Sequence, residues 1–335
     1  MVLITGATGL LGSYLAKYLL QKGEKVRAIK RKTSDLSLLG DYAGQIEWVE
    51  ADVLDIPALE QAMQGVQQVY HSAAVISFVP SEVDYMLKVN IEGTANVMNV
   101  ALACGVQKVV HVSSEAAFGI APPGKVIDET YADPNIRKAP GYYLSKQYSE
   151  REAWRAHAEG LNVVIACPAT IIGGGWWSHQ PNSLFKEVYH GLSFYTQSVN
   201  GFVDVRDTVE CMVRLMESNI SGEKFLLVSE NISFRELLWL MADALQVKRP
   251  RIAVGKWLLA FAWRFEVLKG WLTGQPPIIT KESAALTKID FRYSNRKVTT
   301  ALNFQFRPLS QTISDTAQVY LQSEKEGKGF GVLAI

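Results

Sequence analysis

Short apolar runs alternate with longer amphipathic stretches through the first half of the chain, at the spacing of βαβ units. The runs predict strands near 2–5, 25–29, 46–49, 68–71, 108–112 and 162–166. The stretches between them predict helices, most clearly over 10–21, 57–63, 82–104 and 141–159. Strands that are apolar nearly throughout must be covered on both faces, which calls for a parallel sheet between two helix layers. The fold class that follows is α/β, a Rossmann-type doubly wound parallel sheet.

The alternation fails from Gly173, where GGGWWSHQP forms a glycine and tryptophan loop. A mixed stretch runs to Gly201, and the compact FVDVRDTVECMVRLM after it is expected to re-enter the sheet. From about Asn231 helix formers and aromatics dominate, so a smaller, discontinuous and mainly α domain is expected from about 173–200 plus 229–335. The sheet domain then holds 1–172 plus about 201–228. The late segment 256–272, KWLLAFAWRFEVLKGWL, is too short and too charged at Arg264, Glu266 and Lys269 to span a bilayer. It reads as an amphipathic helix packed in the smaller domain, with membrane-surface contact or a lid as alternatives.

Composition narrows the class. A chain of 335 residues with 48% hydrophobic content can bury a large core. The 34 basic residues against 33 acidic ones give a formal net charge of +1, so no global field points to nucleic acid or an anionic membrane. Cys104, Cys167 and Cys211 lie far apart in apolar runs, which fits a reducing compartment and neither a disulfide framework nor a metal site. With the first glycine turn at residue 5 or 6, no signal peptide is expected ahead of it, and the reading is cytoplasmic.

Candidate chemistry begins at TGATGLLG, residues 5–12, where Gly6, Gly9 and Gly12 fall between a predicted strand and helix. Glycines there let backbone N–H groups approach a pyrophosphate at the positive end of the helix, so the sheet domain is read as the dinucleotide-binding one. An NAD-type site wants an acid at the end of the second strand. This chain instead has Lys30, Arg31, Lys32, Thr33 and Ser34, a cluster suited to the extra 2′-phosphate of NADP. Asp52 after the third strand could accept from the adenine amine while Val53 packs the ring. In GYYLSK, Tyr142 and Lys146 are four apart on a helix and share a face, which would let the cation lower the phenol pKa. Tyr143 is better explained as wall or packing. The apolar run 109–112 ends in Ser113 and Ser114, hydroxyls at a strand's carboxyl end where open α/β sheets bind ligands.

Taken together, the glycine turn, the strand-terminal serines and the Tyr/Lys helix resemble the extended short-chain dehydrogenase/reductase family, the NAD-dependent epimerase/dehydratases. The resemblance runs through nearly the whole chain, to YSNRKVTTALNFQFRP at 293–308. It implies a catalytic set of Ser114, Tyr142 and Lys146. It implies cofactor contacts from Gly6, Thr8, Gly9, Leu10, Leu11 and Gly12, from Arg31, Lys32, Asp52 and Val53, and from Ser72, Ala73 and Ala74 of HSAA. Asn90 in VNIEGTANV, Val112, and Pro168, Ala169 and Thr170 of CPATIIGG complete that set, while FVDVRD at 202–207 resembles the return to the sheet. CPAT replaces the Arg-Pro and Asn of many sugar-nucleotide enzymes, and with KVRAIKR at 25–31 it resembles the dihydroflavonol-4-reductase-like subgroup.

The implied function is an NADPH-dependent reductase of a small apolar or aromatic carbonyl substrate, with NAD(H) possible as cofactor. Tyr142 would be the proton donor, Ser114 the hydrogen-bond donor, and Lys146 the holder of the ribose hydroxyls. Trp176, Trp177, Phe194 and Tyr195 are candidate substrate-pocket aromatics, with an ordinary core of the smaller domain as the equal alternative. The family's usual homodimer would use the helices at 82–104 and 141–159. Glu115, directly after the catalytic hydroxyl, keeps a nucleotide-sugar epimerase or dehydratase with retained NAD as an alternative, and a non-catalytic NADP-sensing protein is a further one.

Overall fold

A computed structural model describes residues 1–255, 287 and 289–335. The first half runs β1 (Val2–Thr5), α1 (Leu10–Gln21), β2 (Val26–Lys30), β3 (Glu47–Glu50), α2 (Ile56–Met63), β4 (Gln68–His71), α3 (Val83–Leu87), α4 (Gly93–Ala103) and β5 (Lys108–Val112). Then come β6 (Val126–Ile127), α5 (Gly141–Ala158), β7 (Val163–Pro168), β8 (Thr170–Ile172), α6 (Ser183–Tyr189), β9 (Phe194–Tyr195), β10 (Val199–Asp204) and α7 (Val205–Glu217). The chain continues through β11 (Glu223–Leu227), β12 (Glu230–Ser233), α8 (Phe234–Ala244), β13 (Ile252–Ala253), β14 (Arg292–Tyr293), α9 (Arg296–Leu302) and α10 (Leu309–Lys325).

Seven strands form one parallel sheet in the order β3-β2-β1-β4-β5-β7-β11. The apolar runs place side chains on both faces. On β1, Val2 and Ile4 face a core shared with Tyr14 and Leu15 of α1 and Val209 and Met212 of α7. Leu3 faces the opposite core, with Leu59 of α2, Val97 and Met98 of α4, and Ala153 and Ala156 of α5. Complete burial of each such aliphatic side chain contributes roughly 1.5–3 kcal/mol, which makes these two layers the main source of stability. A third cluster joins separated segments: Ile172, Trp177, Phe185 and Phe202 with Leu237 and Met241 of α8 and Ile313 and Tyr320 of α10.

Three expectations need correction. FVDVRD does not return to the main sheet, because β10 pairs with β8 and β12 in a separate three-stranded sheet. The return is β11, which follows α7 through a turn at Gly222 (φ +67°) and pairs with β7. The helix expected over 82–104 is interrupted by a π turn at Lys88–Glu92. Trp177 is core and not pocket wall: its indole N–H donates to Ser323 at 2.7 Å and its ring packs edge-on against Phe185 and Tyr320. The segment 256–272, read from sequence as an amphipathic helix, lies outside the described residues. Among the described residues no helix is long and apolar enough to cross a membrane.

His71 of β4 and His111 of β5 stack with ring centroids 5.2 Å apart in the interior. Burial pushes both imidazoles below the ordinary histidine value, His71 to about 3. Groups with depressed pKa in the folded state contribute stability above the unfolded value of about 6.5, and that stability is lost as pH falls toward the folded value. Denaturant midpoints should therefore drop between those limits, and less steeply in a His71→Gln, His111→Leu double variant. Identical slopes for the two proteins would refute this account.

Candidate active site

The carboxyl ends of β1, β2, β3 and β4 open on a cleft of about 270 Å³. Of the residues read as cofactor contacts, Gly6, Thr8, Gly9, Arg31, Asp52, Val53, Ser72, Ala73 and Ala74 line it. Two glycines explain its floor. Gly6 has φ +76°, and a Cβ there would stand 2.7 Å from the Ala73 nitrogen. At Gly12 a Cβ would meet the Gly6 carbonyl oxygen at 2.1 Å, so α1 crosses β1 at a distance that admits no side chain. Gly9 N–H donates to Gly6 O at 3.0 Å, and Gly9 caps α1 without a side-chain acceptor on the first N–H groups. Those donors and the helix dipole favour an anion at this spot.

The adjoining strand end is held by a small network. Thr5 Oγ1 lies 2.7 Å from His71 Nδ1 and accepts from Ala73 N–H at 3.2 Å, while Ser72 Oγ donates to Thr5 O at 2.7 Å. At the far side of the cleft Lys30, Arg31 and Ser34 form a cationic corner, with Arg31 Nη1 3.5 Å from the Tyr85 hydroxyl. Lys32 is exposed and does not line the cleft. Tyr85 was not anticipated, since it is a lone aromatic on a polar helix face.

Beyond the cleft, β5 ends at Ser113 and Ser114, and α5 brings Tyr142 and Lys146 to them. Ser114 Oγ donates to Glu115 Oε2 at 2.9 Å and accepts from Ala116 N–H. Burial and the neighbouring Glu115 push the Tyr142 phenol above its ordinary value, and a hydrogen bond with Ser114 pulls it back in part. Burial pushes the Glu115 carboxyl up to about 7 and the Lys146 ammonium down to about 8. The expectation that Lys146 lowers the phenol pKa is corrected: its Nζ donates to the Val112 carbonyl at 3.1 Å, and desolvation dominates the phenol. The Tyr142 ring is walled by Phe78, edge-on at 5.8 Å between centroids, in a cluster with Met86, Ile136 and Tyr143. Phe78 sits in a loop without periodicity, which is why sequence reading passed over it.

The other predicted contacts do not line this cleft. Leu11 and Ala169 are buried in the two sheet cores, and Leu10 packs against the first of them. Asn90 is consumed by structure: Oδ1 accepts from Val75 N–H, and Nδ2 donates to Val75 O and Ser145 Oγ. It fastens the post-β4 loop to α5 from the π turn. Thr170 Oγ1 accepts from Asn200 Nδ2, and Pro168 ends β7 in the sheet. Trp176 packs on Phe330, and Tyr195 on Trp239, away from Tyr142's wall. Phe194 is exposed.

Comparison with known proteins follows the same lines. The model of the NAD dependent epimerase/dehydratase family matches residues 2–227. Sterol demethylase protein B of Methylococcus capsulatus is 33% identical over 256 residues, 75% of this chain and 76% of that protein. A protein of Synechocystis sp. provisionally named dihydroflavonol 4-reductase is 29% identical over 321 residues, 93% of this chain and 92% of its own length. The crystal structure of gox2253 superposes with a TM-score of 0.83 at 29% identity, covering 98% of this chain and 99% of that one.

The α1 crossing sets a mutational expectation. Gly12→Ala must displace the Gly6 carbonyl, and overpacking of this kind costs roughly 1–3 kcal/mol. The variant should melt lower than wild type and lose the thermal stabilisation given by dinucleotide. Unchanged melting with retained stabilisation would contradict the packing.

Proposed function

The chain belongs to the NAD-dependent epimerase/dehydratase family, and from that premise we propose that it is an NADPH-dependent reductase of a small apolar or aromatic carbonyl compound. The observation that carries the proposal is a phenol kept protonated by burial, with Ser114 beside it and an apolar wall around it. The glycine floor and the cationic corner fit a dinucleotide with an extra phosphate. A bound nicotinamide would supply the hydride. Tyr142 gives its proton to the substrate oxygen as charge develops there. Ser114 turns its hydroxyl from Glu115 to the same oxygen. Lys146 holds ribose hydroxyls. Arg31, with Lys30 and Ser34, grips the 2′-phosphate.

Reductase relatives support small-molecule carbonyl chemistry, and the sterol-demethylation relative supports an apolar substrate. A cytoplasmic homodimer completes the proposal: the described cysteines are free, and Leu144, Tyr148 and Trp154 of α5 stay only partly covered in the monomer. One observation favours a second reading. Glu115 accepts from the Ser114 hydroxyl and burial pushes its carboxyl up to about 7, and a second acid–base group of this kind suits an epimerase or dehydratase that retains NAD.

NADPH oxidation against a panel of aromatic aldehydes and ketones tests the first reading, and thermal stabilisation by UDP or dTDP tests the second. Turnover with the panel and no nucleotide effect is expected; micromolar stabilisation by nucleotide with no turnover would overturn the reductase. Tyr142→Phe should lower turnover by a factor on the order of 10² or more while NADPH affinity holds, and Tyr143→Phe should be milder. Calorimetry should give NADPH a preference over NADH of roughly tenfold or more, eroded by Arg31→Ser, because one charge-assisted pair contributes about 1.5–3 kcal/mol. Equal affinities in wild type would remove the assignment of Arg31.

A further inference from the structure

Behind the phenol lies a set of buried polar groups for which proton transfer by Tyr142 provides no task. Glu150 follows Lys146 by one turn of α5, so both project from the same face of the helix. Each side chain belongs to a residue only 4% exposed. Glu150 Oε1 accepts from the Ser113 hydroxyl at 2.6 Å and from the Cys167 thiol of β7 at 3.5 Å. Its Oε2 is 3.4 Å from Lys224 Nζ on β11. Four elements therefore meet at one carboxylate.

Lys146 needs such a partner. Its Nζ has the Val112 carbonyl as hydrogen-bond acceptor, and a buried ammonium with one neutral acceptor is costly without an anion nearby. The groups whose charge acts on it are Cys167, Glu150 and Glu115, while the imidazoles of His71 and His111 face it from β4 and β5. Burial holds the thiol and both imidazoles neutral at pH 7, and Glu115 is pushed to about 7. Around Glu150 itself the charged neighbour is Lys224, and Glu129 lies in the same field at Cys167.

We propose that Glu150 is a positioning residue, its carboxylate keeping the buried Lys146 in the ammonium form and, through Ser113, fixing the strand end that carries Ser114. Two cations then share one anion. Lys146 draws on Glu150 from the site side and Lys224 from the sheet edge, so the two lysines compete. This inference rests on the reductase reading for its functional meaning, though its test needs only the apoprotein.

The test follows the Lys146 titration directly, by NMR of protein labelled at lysine Cε, with the resonance assigned by its loss in Lys146→Met. Glu150→Gln keeps the shape and the hydrogen bond to Ser113 but removes the charge; the Lys146 midpoint should fall by about one pH unit or more. Lys224→Met removes the competing cation, and the midpoint should rise. Opposite shifts support the proposal, since a purely structural role would not move the two variants in opposite directions. An unchanged midpoint in Glu150→Gln, or shifts of the same sign, would overturn it. If Glu150→Gln does not fold, Glu150→Asp takes its place: it keeps the charge but draws it back by one methylene, the midpoint should fall, and an unchanged midpoint refutes. In protein that turns over a carbonyl, the alkaline limb of the rate should move with the NMR midpoint. Wild type without turnover would sink the reductase reading and leave the titration result intact.

Discussion

The rest of the architecture depends on how closely α1 crosses β1. With the Gly6 carbonyl lying where a Cβ of Gly12 would be, the first helix starts directly at the strand end, and its free N–H groups converge on one point. The same turn lets Gly6 back against Ala73, so the ends of β1 and β4 are drawn together and the Thr5, Ser72 and His71 contacts can form. A side chain at either glycine would separate those strand ends and widen the floor of the cleft.

Two electrostatic regimes then divide the molecule's working end. At the rim of the cleft Arg31 is exposed to water, where its charge is screened and its value lies in geometry. Around α5 the charges are buried, so desolvation governs and every group's ionisation depends on its neighbours. The coupling between Glu115, Tyr142 and Lys146 is a property of that dry interior.

Much of the sheet was legible because fully apolar runs of four to six residues have few other uses, and Leu3 against Val2 and Ile4 shows why both faces had to be covered. The glycine turn and the Tyr142–Lys146 interval were legible for the same reason: each is a local spacing. What escaped was long-range. The strand β11 depended on pairing with β7, and Phe78 mattered only because the post-β4 loop folds back on α5. Trp177 looked like a pocket residue until Ser323, far along the chain, was seen to take its N–H. Asn90 likewise spends its amide on Val75 and Ser145, partners that no spacing rule could name.

One contact has an implication for how the chain matures. The hydroxyl of Tyr14, on α1, donates to Gly174 O at 3.0 Å and accepts from Leu333 N–H at 2.7 Å, so a group made near the start of synthesis finds its last partner 319 residues later. Leu333 itself sits in the core against the first strand and helix. A nascent chain therefore holds its earliest α/β units without this second partner for the phenol until residue 333 has been made and has folded back. The first layer is therefore closed only when the segment around Leu333 folds back on α1, a pairing that local synthesis order cannot supply.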